Sequence, residues 1–209
     1  MILVIGGIGL VILYFIQGER TVPANAVNLA SPLRNGTYTV VNSGKNCTAA
    51  GCVHDTPGEI YALDIVNSQD ASRIDNLFFK TLESYVTFGE TLYSPCYGNI
   101  KDLQNDALDH NIGIGVKTAG GANYIIIGCD QFTVLMSHLK QGSIIVKAGD
   151  IVQIGQELGK VGNSGNTTGP HLHIIAYREQ GEDKIPLPIT INGQYFYSGD
   201  SFSANANSN

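Results

Sequence analysis

The chain has no cluster of lysine or arginine, and its 12 basic residues are outnumbered by 18 acidic ones, for a net charge of −6. Binding a phosphate backbone calls for a basic stripe or patch, so nucleic acid is excluded as a partner. Charge of either sign is scarce, at 14% against 43% apolar residues, which is the reverse of a disordered composition. No internal repeat is present, and 209 residues suit one sizeable domain with a targeting segment. No His-Glu-x-x-His motif occurs, which removes the glutamate base of that design. The turn-rich stretch 146–161 shares the layout of lipoyl and biotin carriers but offers no Met-Lys-Met or Asp-Lys-Ala hairpin tip to modify.

What is present reads as mostly β. Glycine (25 residues) and proline (7 residues) punctuate short runs rich in β-branched and aromatic side chains, among them Tyr38 to Val41, Tyr124 to Ile127 and Ile144 to Val146. Only Ile74 to Phe88 has spacing that suits a short helix, and Lys101 to Gly113 reads as a polar excursion between strands.

Residues 1–17 read as a signal peptide or membrane anchor, expected to form an N-terminal hydrophobic helix. No charged side chain occurs before Glu19 and Arg20 restore polarity. The apolar run lies between a signal core and the roughly 20 residues that cross hydrocarbon comfortably, and Ala24-Asn25-Ala26 offers a small-x-small cleavage pattern. Cleaved and anchored forms both stay open, and the missing basic n-region points to a native start upstream of Met1. The expected location is the cell envelope, periplasmic or extracellular. A linker over 18–32, a folded domain over 33–198 and a disordered tail over 199–209 complete the layout, with a monomer expected.

Four cysteines, Cys47, Cys52, Cys96 and Cys129, form an even set that suits an oxidising compartment. Cys47 with Cys52 and Cys96 with Cys129 are the expected bridges. A structural zinc corner of Cys47, Cys52 and His54 is the weaker alternative, because no second short-spaced cysteine pair follows.

Three segments carry candidate chemistry. In Gly162 to His173, GNSGNTTGPHLH, a glycine-rich turn leads into a strand where His171 and His173 stand two apart and so face the same side. In Tyr61 to Val66, YALDIV, Asp64 sits on a strand among apolar residues, a costly place for a carboxylate without a partner or a cation. Thr133 to Leu139, TVLMSHL, ends in His138, and His54 lies ten residues before Asp64. Taken singly each histidine is more often structural than catalytic; together they have the chemistry of a His/His/Asp zinc site that leaves one position for water.

GNSGNTTGPHLH, the SHL of Ser137 to Leu139, YALD and the turn series GDIVQIGQELGKVGNSG together closely resemble the lysostaphin-like, or LytM-type, zinc endopeptidases of bacterial cell walls, over roughly Cys52 to Ala176. The resemblance implies an antiparallel β-sheet or β-sandwich hybrid fold with a substrate groove. It implies that His54, Asp64 and His173 bind Zn2+, that His138 and His171 serve catalysis, and that the substrate is a peptidoglycan stem peptide or cross-bridge. The better-known members carry their first histidine four residues before the aspartate, where this chain has Ile60. His54 takes that place from a longer loop, with His110 as the reserve. A member of the fold that has lost turnover and regulates other wall enzymes is the alternative reading.

Overall fold

A computed structural model describes residues 21–44, 54, 56–71, 81–113 and 121–205. The expected N-terminal helix and the Cys47–Cys52 bridge lie outside them. The described residues are mostly β, in antiparallel sheets, with one four-residue helix, α1 (Ser68–Ala71), and a single 3-10 turn at Leu82–Ser84. No helix among them is long and apolar enough to cross a membrane.

A nine-stranded sheet organises the domain. Its order is β14 (Ser201–Ala204), β2 (Gly36–Ser43), β3 (Leu63–Asn67), β10 (Leu172–Gln180), β7 (Thr133–Ser137), β6 (Tyr124–Gly128), β5 (Gly98–Gln104) and β8 (Ile151–Val152). β11 (Asp183–Leu187) pairs with the outer half of β10. Two small sheets flank it: β1 (Val27–Leu29), β12 (Ile189–Ile191) and β13 (Gln194–Tyr195) in one, β4 (Thr91–Tyr93) and β9 (Glu157–Lys160) in the other. β1 runs parallel to β12, and the remaining pairs are antiparallel.

Inward side chains from all three sheets meet in one core that includes Leu29, Val40, Ile65, Leu92, Met136, Leu158, Ile174 and Ile189, each essentially without solvent contact. β3 is buried along its whole length because strands cover both its edges and the molecule covers both its faces. Asp64 is therefore enclosed by topology as well as by its apolar neighbours.

Three segments differ from the sequence reading. Ile144 to Val146 alternate buried, exposed, buried, yet they form no strand; Ile145 N–H donates to Leu158 O, and Ile144 N–H donates instead to the Asn105 side chain. Lys101 to Gln104 belong to β5 instead of a loop, because Tyr124 to Ile126 supply the pairing that a polar sequence does not announce. Val27 to Leu29 and Ser201 to Ala204, assigned to linker and tail, are strands: Leu29 and Ala204 are fully buried, and Phe202 packs its ring against Tyr38 and Phe196.

Cys96 and Cys129 are bonded, as expected, joining the turn after β4 to the turn after β6 across 33 residues of chain. Closing a loop of that size removes denatured-state entropy worth about 3.7 kcal/mol. Replacing both cysteines by serine should lower the unfolding free energy by that amount in urea; a loss under about 0.5 kcal/mol would show the bridge to be thermodynamically idle.

Candidate metal centre and its flanking imidazoles

Three adjacent strands build the centre. His173 on β10 stands directly opposite Asp64 on β3 and, across its other edge, opposite Ser137 on β7. Cross-strand partners share a face, so the Asp64 and His173 side chains meet. His173 Nδ1–H donates to Asp64 Oδ1 at 2.9 Å. His54, carried by the loop before β3, donates from Nε2 to the other oxygen, Oδ2, at 2.8 Å. All three are buried, with exposures of 7% for His54, 3% for Asp64 and 6% for His173. Their donor atoms all lie within 4.8 Å of one another.

His171 and His138 border this cluster. His171 immediately precedes β10 and, two residues from His173, projects to the same side; its Nε2 is 3.5 Å from Asp64 Oδ1. His138 follows the last residue of β7 with φ +61°, a left-handed conformation uncommon for a side chain of this size. That twist brings its ring to 4.7 Å from the His171 ring and 5.7 Å from the His173 ring, centre to centre. His138, His171 and His173 thus form a second set of donors within the same 4.8 Å limit. The first set is the better cation trap, since it contains a carboxylate and is wholly buried, whereas the second holds three imidazoles and no carboxylate.

The glycine-rich turn sets which nitrogen of each flanking ring faces the centre. His138 Nδ1 is 2.8 Å from Ser164 O, and His171 Nδ1 is 2.9 Å from Gly169 O. A carbonyl only accepts, so Nδ1 carries a proton in both rings, and in His138, which burial keeps neutral, Nε2 holds a lone pair. Thr167 Oγ1 adds a contact to His171 Nδ1 at 3.2 Å. Gly165 makes the turn possible: its φ is +79°, and a Cβ there would meet Ala122 at 2.5 Å.

The electrostatics follow from this crowding. Burial resists ionisation of Asp64, but His171, His173 and His54 outweigh it and hold the carboxyl well below its ordinary range. Burial pushes His54 down, while its hydrogen bond to Asp64 and the attraction of that charge push it up, for a net rise. Burial, followed by repulsion from His171, takes His138 down to about 3 despite its bond to Ser164 O, so this imidazole is neutral at physiological pH.

A cleft of about 510 Å³ opens over the centre, lined by Asn42, Asp64, Asp70, Tyr85, Thr167 and His171 among others. A larger hollow of about 790 Å³ beside the disulfide, lined by Leu29, Tyr97, Cys129 and Ile154, holds none of these residues.

The model of Peptidase family M23 matches residues 84–185, a span that holds His138, His171 and His173. The chain carries a peptidase family M23 domain. Among curated relatives, the chain is 43% identical over 70 residues to peptidoglycan DD-endopeptidase ShyA of Vibrio cholerae, covering 32% of this chain and 16% of ShyA. It is 26% identical over 183 residues to ShyC of the same organism, covering 80% of this chain and 41% of ShyC. The chain therefore spans less than half the length of either relative. Among solved structures, a zinc containing peptidase from Vibrio cholerae aligns at 20% identity with TM-score 0.43, over 79% of this chain and 41% of that one. The catalytic domain of lysostaphin from Staphylococcus simulans aligns at 17% identity with TM-score 0.40, over 73% and 86%.

His54, Asp64, His138, His171 and His173 come together in the structure, the first two from ahead of the span that the family model matches. His110 does not join either donor set: it holds Asn163 through its backbone, accepting from Asn163 Nδ2 and donating its N–H to Asn163 O. Of the alternative corner of Cys47, Cys52 and His54, the cysteines lie outside the described residues, and His54 turns to Asp64. Sequence reasoning missed Asn42, Thr167 and the carbonyls of Ser164 and Gly169. Backbone acceptors leave no mark in a sequence, and Asn42 becomes visible only through strand pairing.

An alanine at Gly165 must enter a left-handed conformation and displace Ala122. The variant should lose about 1–3 kcal/mol of stability in a urea titration, and full retention would show that the turn has another conformation open to it.

Proposed function

We propose that this chain is an exported zinc-dependent endopeptidase that hydrolyses peptide bonds of peptidoglycan, with His54, Asp64 and His173 as the metal donors. The observation that carries the reading is the buried cluster of one carboxylate and two imidazoles beneath a cleft, flanked by two further imidazoles whose Nδ1–H groups are held by backbone carbonyls. M23 membership supports peptidase chemistry and a metal, and the DD-endopeptidase relatives support peptidoglycan as substrate.

The donor set suits zinc, which favours tetrahedral nitrogen and oxygen ligands. The protons now shared between Asp64 and its two imidazoles occupy the lone pairs a cation would take, so binding releases them. Bound there, zinc would supply Lewis acidity toward the scissile carbonyl and would lower the pKa of water toward about 7. His54, Asp64 and His173 would hold it, the last two from paired strands. His171, which lines the cleft with Nδ1–H anchored on Gly169 O, receives the proton from the attacking water at Nε2 and delivers it to the leaving amine. His138, which burial keeps from taking a charge, is the poorer proton acceptor and packs against His171.

From the apolar sequence over 1–17 we infer a cell-envelope protein, cleaved or anchored. The segment's lack of charge beside the polar residues that follow supports this reading.

Two groups of variants separate binding from chemistry. Asp64→Ala and His173→Ala should each weaken zinc binding at least about 100-fold by competition with a chromophoric chelator, since even outer partners of a metal centre are worth 10–100-fold. His171→Ala should bind zinc normally yet cut release of wall peptides, followed by mass spectrometry, about 100- to 10,000-fold. Undiminished turnover in His171→Ala would remove that residue from catalysis, and wild-type protein that neither binds zinc nor responds to a chelator would end the metallopeptidase reading.

A further inference from the structure

The ladder between β2 and β3 is regular from Tyr38 opposite Asn67 to Val40 opposite Ile65, and then it slips. Asn42, not Val41, stands opposite Asp64. Val41 is the extra residue of a β-bulge. Without it Asn42 would oppose Leu63 and face the other side of the sheet from Asp64. With it, Asn42 Nδ2 comes to 2.9 Å from Asp64 Oδ2. A carboxylate oxygen only accepts, so the amide donates.

The surroundings of Asp64 give this bond a particular weight. Oδ2 takes His54 Nε2 and Asn42 Nδ2; Oδ1 takes His173 Nδ1, with His171 Nε2 farther off at 3.5 Å. Among the described residues, every hydrogen-bond partner of this carboxylate other than Asn42 is an imidazole. His54 and His173 must give up the hydrogens they donate to Asp64 in order to offer lone pairs to a cation. Asn42 neither titrates nor ligates, so its bond is the one that persists when the site loads.

We propose that Asn42, delivered by the bulge at Val41, is a positioning residue that holds the Asp64 carboxylate in the orientation that metal binding requires. The proposal rests on reading His54, Asp64 and His173 as the metal donors. Partners of this kind fix ligand orientation, and their loss weakens affinity about 10- to 100-fold.

The test uses the full chain and its Asn42→Ala and Asn42→Leu variants. Zinc affinity is measured by chelator competition, and visible spectra are taken after loading with cobalt. Leucine restores the side-chain volume without the donor. Both variants should bind zinc about 10- to 100-fold more weakly than the parent and shift the cobalt bands, while circular dichroism stays that of the parent. Parent-like affinity in both variants, or recovery by leucine alone, would overturn the proposal and leave the metal site standing. A parent that binds no zinc would overturn the site itself and this inference with it.

Discussion

A carboxylate enclosed on a strand covered at both edges and both faces is the constraint on which this molecule turns. Asp64 lies in β3 between Leu63 and Ile65, buried to 3% exposure, and yet it is held in its charged form. Burying an unpaired carboxylate costs several kcal/mol, so the fold must bring positive or hydrogen-bonding groups to it. It does so from three directions: His173 across the β10 edge, Asn42 across the β2 edge, and His54 from the loop ahead of the strand. The result is a negative group ringed by Lewis bases, the electrostatic description of a place for a divalent cation.

The second structural device is the turn that runs from Gly162 to Pro170. Its carbonyls at Ser164 and Gly169 take the Nδ1 protons of His138 and His171 and thereby fix the orientation of both rings, with His171 Nε2 toward Asp64. The turn is fastened to the rest of the domain by Asn123 and Asp109: Ser164 Oγ accepts from Asn123 N, and Asp109 Oδ1 accepts from Asn163 N. Side chains far apart in sequence thus hold one loop rigid, and that loop sets the protonation pattern of the two imidazoles. Precision at the centre comes from strands on one side and from a hydrogen-bonded turn on the other.

Much of the candidate centre was legible in the sequence, because it is written in local patterns. The two-residue period of a strand puts His171 and His173 on one side without knowledge of the partner strand, and an aspartate amid apolar residues announces its need for company. The mostly β class was legible for the same reason. What escaped was non-local. Val27 to Leu29 and Ser201 to Ala204 look like linker and tail until the strands that pair with them are known. Lys101 to Gln104 are too polar to suggest a strand, and Ile144 to Val146 alternate like one without a ladder. Asn42 stayed hidden because a bulge in pairing, not any motif, turns it toward Asp64.

Two overlapping donor sets share His173, and the functional reading stands on the set that contains the carboxylate. Crystals of the zinc-loaded protein, with anomalous scattering collected at the zinc edge, locate the ion directly. The proposed centre requires one peak about 2.0–2.2 Å from His54 Nε2, an Asp64 oxygen and His173 Nδ1, with His138 and His171 beyond bonding distance. A peak bonded to His138 and His171 and remote from Asp64 would contradict it.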